Sequence, residues 1–124
     1  MDLPAKNVVV PTEDLINICE HYGMDEQAEM LRTDPPSKPF ASDGASGCPE
    51  FLSAMVYEAA FLHDICYYLG GTEDQRKSAD REFRNNLMFL HSLPISVAKF
   101  MYKAVRIGGQ EELRFSWHWG FGRG

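Results

Sequence analysis

A mainly α fold is predicted by three features of the sequence. Apolar residues recur at spacings of three and four, helix caps and brakes punctuate the chain, and no stretch alternates in the manner of a strand. The expected architecture is a compact helical domain built on an antiparallel two-helix hairpin, with an irregular N-terminal lead-in and an aromatic tail. At 124 residues the chain suits a single domain with one modest core. Within it, 1–39 reads as a helical extension with a proline-rich linker, 40–109 as the core and 110–124 as a tail.

Residues 1–11 form an extended lead-in closed by Pro11. Thr12 is placed as the N-cap of a helix whose apolar positions are Leu15, Ile16, Cys19 and Tyr22 and which ends near Gly23. A shorter helix is expected over Asp25 to Arg32, and the following "DPPSKP" (34–39) cannot continue it. "FASDGASGCPEF" (40–51) is a loop rich in Gly, Ser and Asp, with Pro49 suited to a first helical position. A helix over 49–69 stops at Gly70-Gly71, and Thr72 with Gln75 then forms a capping-box pattern. The helix so begun, 72–90, carries Asp80, Phe83, Leu87 and Leu90 on one stripe. "SLP" (92–94) separates it from a helix over 94–107 with Val97, Met101, Ala104 and Val105 on one face. The tail "EELRFSWHWGFGRG" has no helical period.

Composition narrows the function classes. A formal charge of −6 argues against a nucleic-acid partner, which calls for a basic patch. Cys19, Cys48 and Cys66 are odd in number and widely spaced, unlike a disulfide framework or a four-cysteine zinc site. "MDLPAKNVVVPTEDL" lacks the apolar core of a signal peptide, and no stretch reaches the ~18 apolar residues of a membrane span. The expectation is a cytoplasmic protein with free thiols, or one secreted by a route independent of a signal peptide.

The chemistry-bearing stretch is "FLHDICYYLGGTEDQRKSADREF" (61–83). At ~100° per residue His63 shares a helix face with Ala59, Cys66 and Tyr67, whereas Asp64 points about a third of a turn away. His63 precedes the hairpin turn by about six residues and Asp80 follows it by about eight. At a rise of ~1.5 Å per residue the two lie level, on axes ~8–10 Å apart. A buried Asp80 needs a partner, and His63 and Tyr67 are placed to supply one. A carboxylate that holds one imidazole nitrogen fixes the tautomer and leaves the other to take a proton from water. Asp64, aimed elsewhere, is free to ligate a metal. The loop 43–47 adds the Asp43 side chain and backbone carbonyls, oxygen ligands of the kind Ca2+ prefers. A base-activated water beside a polarising cation is a hydrolase arrangement.

Plainer readings stand beside each of these. His63 reads equally as a satisfied core histidine, and Asp80 as the partner of Arg76 or Arg84, each four residues away on its own helix. Asp64 reads as a polar residue at a packing edge, Tyr67 and Tyr68 as core rings with tethered hydroxyls, and 43–47 as a capping turn. Cys66 as a nucleophile is poorly aligned, three residues from His63 on one helix. His21, His91 and His118 show no mutual spacing and read as surface or packing residues.

His63-Asp64-x-Cys66-Tyr67, followed by an Asp on the next helix, resembles the active-site helix of the secreted phospholipase A2 superfamily. The likeness implies a calcium-dependent esterase acting on the sn-2 acyl ester of phospholipids. His63 would be the general base, Asp80 its orienting partner and Tyr67 a tether for Asp80. Asp64 would be the calcium carboxylate, and carbonyls near Gly44, Ala45 and Gly47 would complete the metal site. In place of that superfamily's glycine- and cysteine-rich calcium loop, this chain has "SDGASGCP".

A second resemblance spans residues 40–109. "SDGASGCP", "AAFLHDICYYLGG", "RKSADREF" and "MYKAVRIGG" are similar to a small domain common in bacteriophage and prophage genomes. That likeness brings no activity with it. It implies a shared polar set of Asp43, Ser46, His63, Asp64, Tyr67, Arg76 and Asp80, with Ser46 and Arg76 as supporting members.

The expected function is therefore a phospholipase A2-like, metal-assisted ester hydrolase, phage- or toxin-associated, with a phospholipid or other acyl ester as substrate. Peripheral membrane contact would go with it, and "RFSWHWGFG" (114–122) reads either as its apolar rim or as a packed tail. The alternative is a non-catalytic phage structural or assembly protein in which the same polar set is a buried network. A third reading is a hydrolase of cell-wall peptides using a different metal.

Overall fold

The computed structural model describes residues 1–44 and 50–108. Among them six helices follow in order: α1 (Thr12–His21), α2 (Asp25–Thr33), α3 (Glu50–Met55), α4 (Tyr57–Leu69), α5 (Glu73–Phe89) and α6 (Ile95–Gly108). The fold is mainly helical, and the β structure of the described residues is one isolated antiparallel bridge between Val10 and Phe40.

Local chemistry explains the ends. α1 begins one residue earlier than its sequence suggests: Pro11 occupies the N-cap position, and its carbonyl accepts from Asp14 and Leu15 N–H at 3.0 and 3.1 Å. Thr12 is the first helical residue and gives no side-chain cap. Glu13 and Asp14 face the positive end of the helix dipole. The C-terminus closes with Gly23 in the left-handed region (φ 73°), with bonds from Gly23 N–H to the Glu20 carbonyl and from Met24 N–H to the Cys19 carbonyl.

The turn into α5 depends on a second glycine. Gly71 has φ 136°, and a Cβ there would lie 2.0 Å from Gln75 Oε1, the atom that accepts the Thr72 N–H at 2.7 Å. Thr72 Oγ1 in return accepts from Gln75 N–H, so the capping box is complete. Thr72→Ala is expected to cost ~1 kcal/mol, read as a melting temperature lower by ~3–6 °C. An unchanged melting temperature would show that this box contributes nothing.

The helix anticipated over 49–69 is two helices. Val56, with φ −109° and ψ 16°, interrupts it between α3 and α4. No Gly or Pro marks the site. The Ala59 N–H, which an unbroken helix would aim at the Met55 carbonyl, instead donates to His91 Nε2 at 3.1 Å.

Packing places α4 at the centre. Its Phe61, Leu62, Ile65 and Leu69 join Leu15, Ile18 and Cys19 of α1, Ala28 and Leu31 of α2, and Val10 and Phe40 in one apolar cluster. On its other side Ala59 and Ala60 meet Phe83 and Leu87 of α5 and Ala98, Met101 and Val105 of α6. A helix covered on both sides must be apolar nearly all round, which is why α4 reads "YEAAFLHDICYYL" rather than as a stripe. The proline-rich 34–39 therefore separates α1 and α2 from the rest in sequence but not in packing. No helix among the described residues is long and apolar enough to cross a membrane.

Candidate functional site

α4 and α5 run antiparallel across their short turn, and the level count brings His63 and Asp80 together. His63 Nε2 lies 2.7 Å from Asp80 Oδ1, and the Tyr67 hydroxyl donates to the same oxygen at 2.7 Å. Asp80 is fully buried and His63 is 5% exposed. The imidazole is held between Tyr67 and Phe83, with ring centroids 4.4 and 4.7 Å away.

The other Asp80 oxygen faces cations. Arg106 Nη1, from α6, donates to Oδ2 at 2.8 Å, and Arg76 Nη1 lies 3.7 Å from it. Arg76 also reaches the Tyr67 hydroxyl at 3.4 Å and the Arg106 carbonyl at 3.3 Å. Glu73 ties the two guanidiniums from outside, accepting from Arg76 at 2.9 and 3.0 Å and from Arg106 at 2.6 Å. Those bonds hold the Glu73 carboxyl down at about 2.

Burial pushes the Asp80 carboxyl up, but the bonds from His63, Tyr67 and Arg106 outweigh it and leave the group below its ordinary value. Asp80 is then an anion at neutral pH and only accepts hydrogen bonds. So Nε2 is the nitrogen that carries the proton toward Asp80, and this tautomer has its lone pair on Nδ1. No described residue hydrogen-bonds Nδ1. The tautomer is the one a general base requires.

Asp64 faces away from this pair, as its rotation on the helix predicts. Its Oδ2 accepts from the Ser42 hydroxyl at 2.6 Å, and Ser42 Oγ in turn accepts from Gly44 N–H at 3.1 Å. Ser42 is held by the lead-in: Asn7 N–H donates to its carbonyl at 2.7 Å. The Tyr57 hydroxyl, beside this loop, donates to the Pro4 carbonyl at 2.8 Å. Burial, reinforced by the neighbouring Asp43 carboxyl, raises Asp64 well above the ordinary carboxylate value despite the Ser42 and Gly44 bonds.

The structure thus describes two separate polar centres on α4: His63 with Tyr67, Asp80 and Arg76, and Asp64 with Asp43 and Gly44. Ala45, Ser46 and Gly47, as well as the 114–122 rim, lie outside the described residues. Among the described residues no group of three or more His, Cys, Asp or Glu side chains is arranged to hold a metal. Any cation at Asp64 and Asp43 would need backbone or water oxygens to complete its shell.

Several alternatives resolve differently. Arg84 turns away from Asp80, toward Asn85 at 3.4 Å and over the Tyr102 ring at 5.3 Å. Arg76 does approach Asp80, though from further off than Arg106, which the sequence reading did not single out. Its signals were its place in the quoted "MYKAVRIGG" stretch and its position on α6, one residue past the buried Val105 and so at the edge of the apolar face. The Cys66 thiol is pushed up to about 12 by burial, which makes it a poor nucleophile at neutral pH. Tyr68 anchors the proline-rich segment by donating to the Lys38 carbonyl. No protein-family model, no curated protein and no solved structure matches the chain.

Proposed function

We propose that this protein is a phospholipase A2-like, calcium-assisted carboxylic ester hydrolase acting on phospholipid or a related acyl ester at a membrane surface. The observation that carries the reading is the 2.7 Å contact between His63 Nε2 and Asp80 Oδ1, reinforced by Tyr67. In this reading His63 Nδ1 takes the proton of a water molecule as that water attacks the ester carbonyl. Asp80 keeps Nε2 protonated and stabilises the imidazolium that forms. Tyr67 and Arg106 fix the Asp80 carboxylate, and the Tyr67 and Phe83 rings fix the imidazole.

The donor set around Asp64 suits a hard cation. Asp64 lies beside the Asp43 carboxyl and is raised by burial, so a cation bound there would favour its ionised form. Asp64 and Asp43 would hold calcium with carbonyls of the 44–47 stretch, and calcium bound there would polarise an ester carbonyl.

The sign of the Asp64 shift gives a prediction. Because its folded value is raised, the unfolded chain releases this proton first, so stability falls as pH rises from ~4 through the folded value. Asp64→Asn is therefore expected to melt higher than the parent at pH 7 without calcium. Calcium should raise the parent's melting temperature, by an amount equivalent to ~2.7 kcal/mol at a hundredfold excess over Kd, and leave the variant unmoved. An undiminished rise in Asp64→Asn, or no rise in the parent at millimolar calcium, removes Asp64 from the mechanism.

The activity test is fatty-acid release from phosphatidylglycerol and phosphatidylcholine vesicles with calcium and with chelator. Calcium-dependent release supports the reading, and none from the folded protein on either lipid rejects it.

A second reading is favoured by the burial of the same cluster. Asp80 is completely buried and satisfied by three side chains, with a fourth, Arg76, at ion-pair distance, as expected of a network that fixes a fold. On that view the protein is a structural or assembly component, in keeping with the resemblance to the phage domain. His63 substitutions would then alter stability alone.

A further inference from the structure

The break at Val56 leaves α4 with no side-chain N-cap of its own. Its third residue, Ala59, instead donates its N–H to His91 Nε2 across 32 residues of sequence, at 3.1 Å. His91 sits in the turn after α5, where Ser92 takes a left-handed conformation (φ 55°) and Leu93 N–H closes onto the Leu87 carbonyl at 3.1 Å. The turn thus presents the ring to the end of α4. A ring nitrogen can accept a backbone N–H only when it carries no proton. We propose that the α5–α6 turn is an acid-releasable clamp on the N-terminus of α4, with His91 Nε2 as the acceptor that protonation removes.

The surroundings favour release over retention. A protonated His91 would present a second donor to the Ala59 N–H and place a cation at the positive end of the α4 dipole. Among the described residues the carboxylate acting on the ring is Glu58, from the first turn of α4, and it already accepts a hydrogen bond from the Tyr22 hydroxyl of α1. Burial holds the imidazole below its ordinary value, with Glu58 opposing. Since the folded value is lowered, the contribution of the clamp is complete above ~6.5 and is lost as pH falls through the folded value. The consequence reaches the polar centre, because the Ala59 carbonyl stands one helical turn before His63. The clamp itself is independent of whether His63 is catalytic.

The test is nuclear magnetic resonance of the full chain between pH 8 and pH 5. At pH 8 the imidazole nitrogens of His91 should report a proton on Nδ1 and none on Nε2. Protection of the Ala59 amide, corrected for the intrinsic exchange rate, should fall about tenfold or more as His91 titrates below ~6.5. His91→Gln, whose amide oxygen can accept but does not titrate, should show no such step. A proton on Nε2 at pH 8, titration at or above ~6.5, or Ala59 protection that holds to pH 5 overturns the proposal. So does an equal step in His91→Gln. If that variant does not fold, the tautomer and the Ala59 protection of the parent decide alone.

Discussion

Asp80→Ala is expected to lower the unfolding free energy by ~3–5 kcal/mol, the cost of breaking a buried ion pair from one side. The residue is fully buried and accepts from His63, Tyr67 and Arg106. Its removal strands the His63 Nε2–H in the core and takes from Arg106 its buried counter-charge, leaving it, among the described residues, Glu73 at the surface. Set against the ~5–15 kcal/mol of a typical domain, the variant is close to unfolding at growth temperature. Asp80→Asn keeps the shape and one acceptor and should lie between the variant and the parent. Urea denaturation followed by circular dichroism measures both, and a loss below ~1 kcal/mol for the alanine would show that the guanidiniums and the imidazole find other partners. The pH dependence carries the opposite sign to that of Asp64. The folded Asp80 value is lowered, so its stabilisation is present above ~3.9 and disappears as pH falls further, and Asp80→Asn should flatten the acid limb there.

The second large effect follows from the proposed hydrolysis. On that proposal, His63→Gln is expected to reduce ester hydrolysis by ~10²–10⁴-fold, the usual contribution of a positioned general base. Glutamine is chosen because its amide nitrogen can reach the place of Nε2 and still donate to Asp80, whereas nothing replaces Nδ1. Stability should change by only ~1 kcal/mol, so that lost activity cannot be ascribed to unfolding. Fatty-acid release equal to that of the parent would take His63 out of the chemistry and leave it as a member of the buried network.

The parts of this arrangement that the sequence made legible are those governed by short-range rules. Thr72 with Gln75, the Gly70-Gly71 brake and the stripe Asp80, Phe83, Leu87 define one hairpin arm. Counting residues from the turn is then enough to set His63 opposite Asp80. Asp64 follows from rotation on the same helix. Arg106 lies in the quoted "MYKAVRIGG", but its pairing with Asp80 was hidden, because the roll of α6 against α5 depends on how Ala98, Met101 and Val105 seat themselves. The interruption at Val56 was hidden for a related reason. Nothing in "EFLSAMVYEAAF" breaks a helix, and the bond that accommodates the break comes from His91, a residue without a spacing partner. The capping role assigned to Thr12 failed because the Pro11 carbonyl already serves the first turn.

The order in which the partners of Asp80 occur along the chain has a consequence for biosynthesis. A nascent polypeptide that has emerged from the ribosome only as far as α5 already carries His63, Tyr67 and Arg76, enough to receive the carboxylate. Arg106 arrives last, on α6, and it brings the closest guanidinium contact to Asp80 Oδ2. Among the described residues that oxygen then has only the longer Arg76 contact, so the short guanidinium bond to Asp80 is expected to form only once α6 has been made.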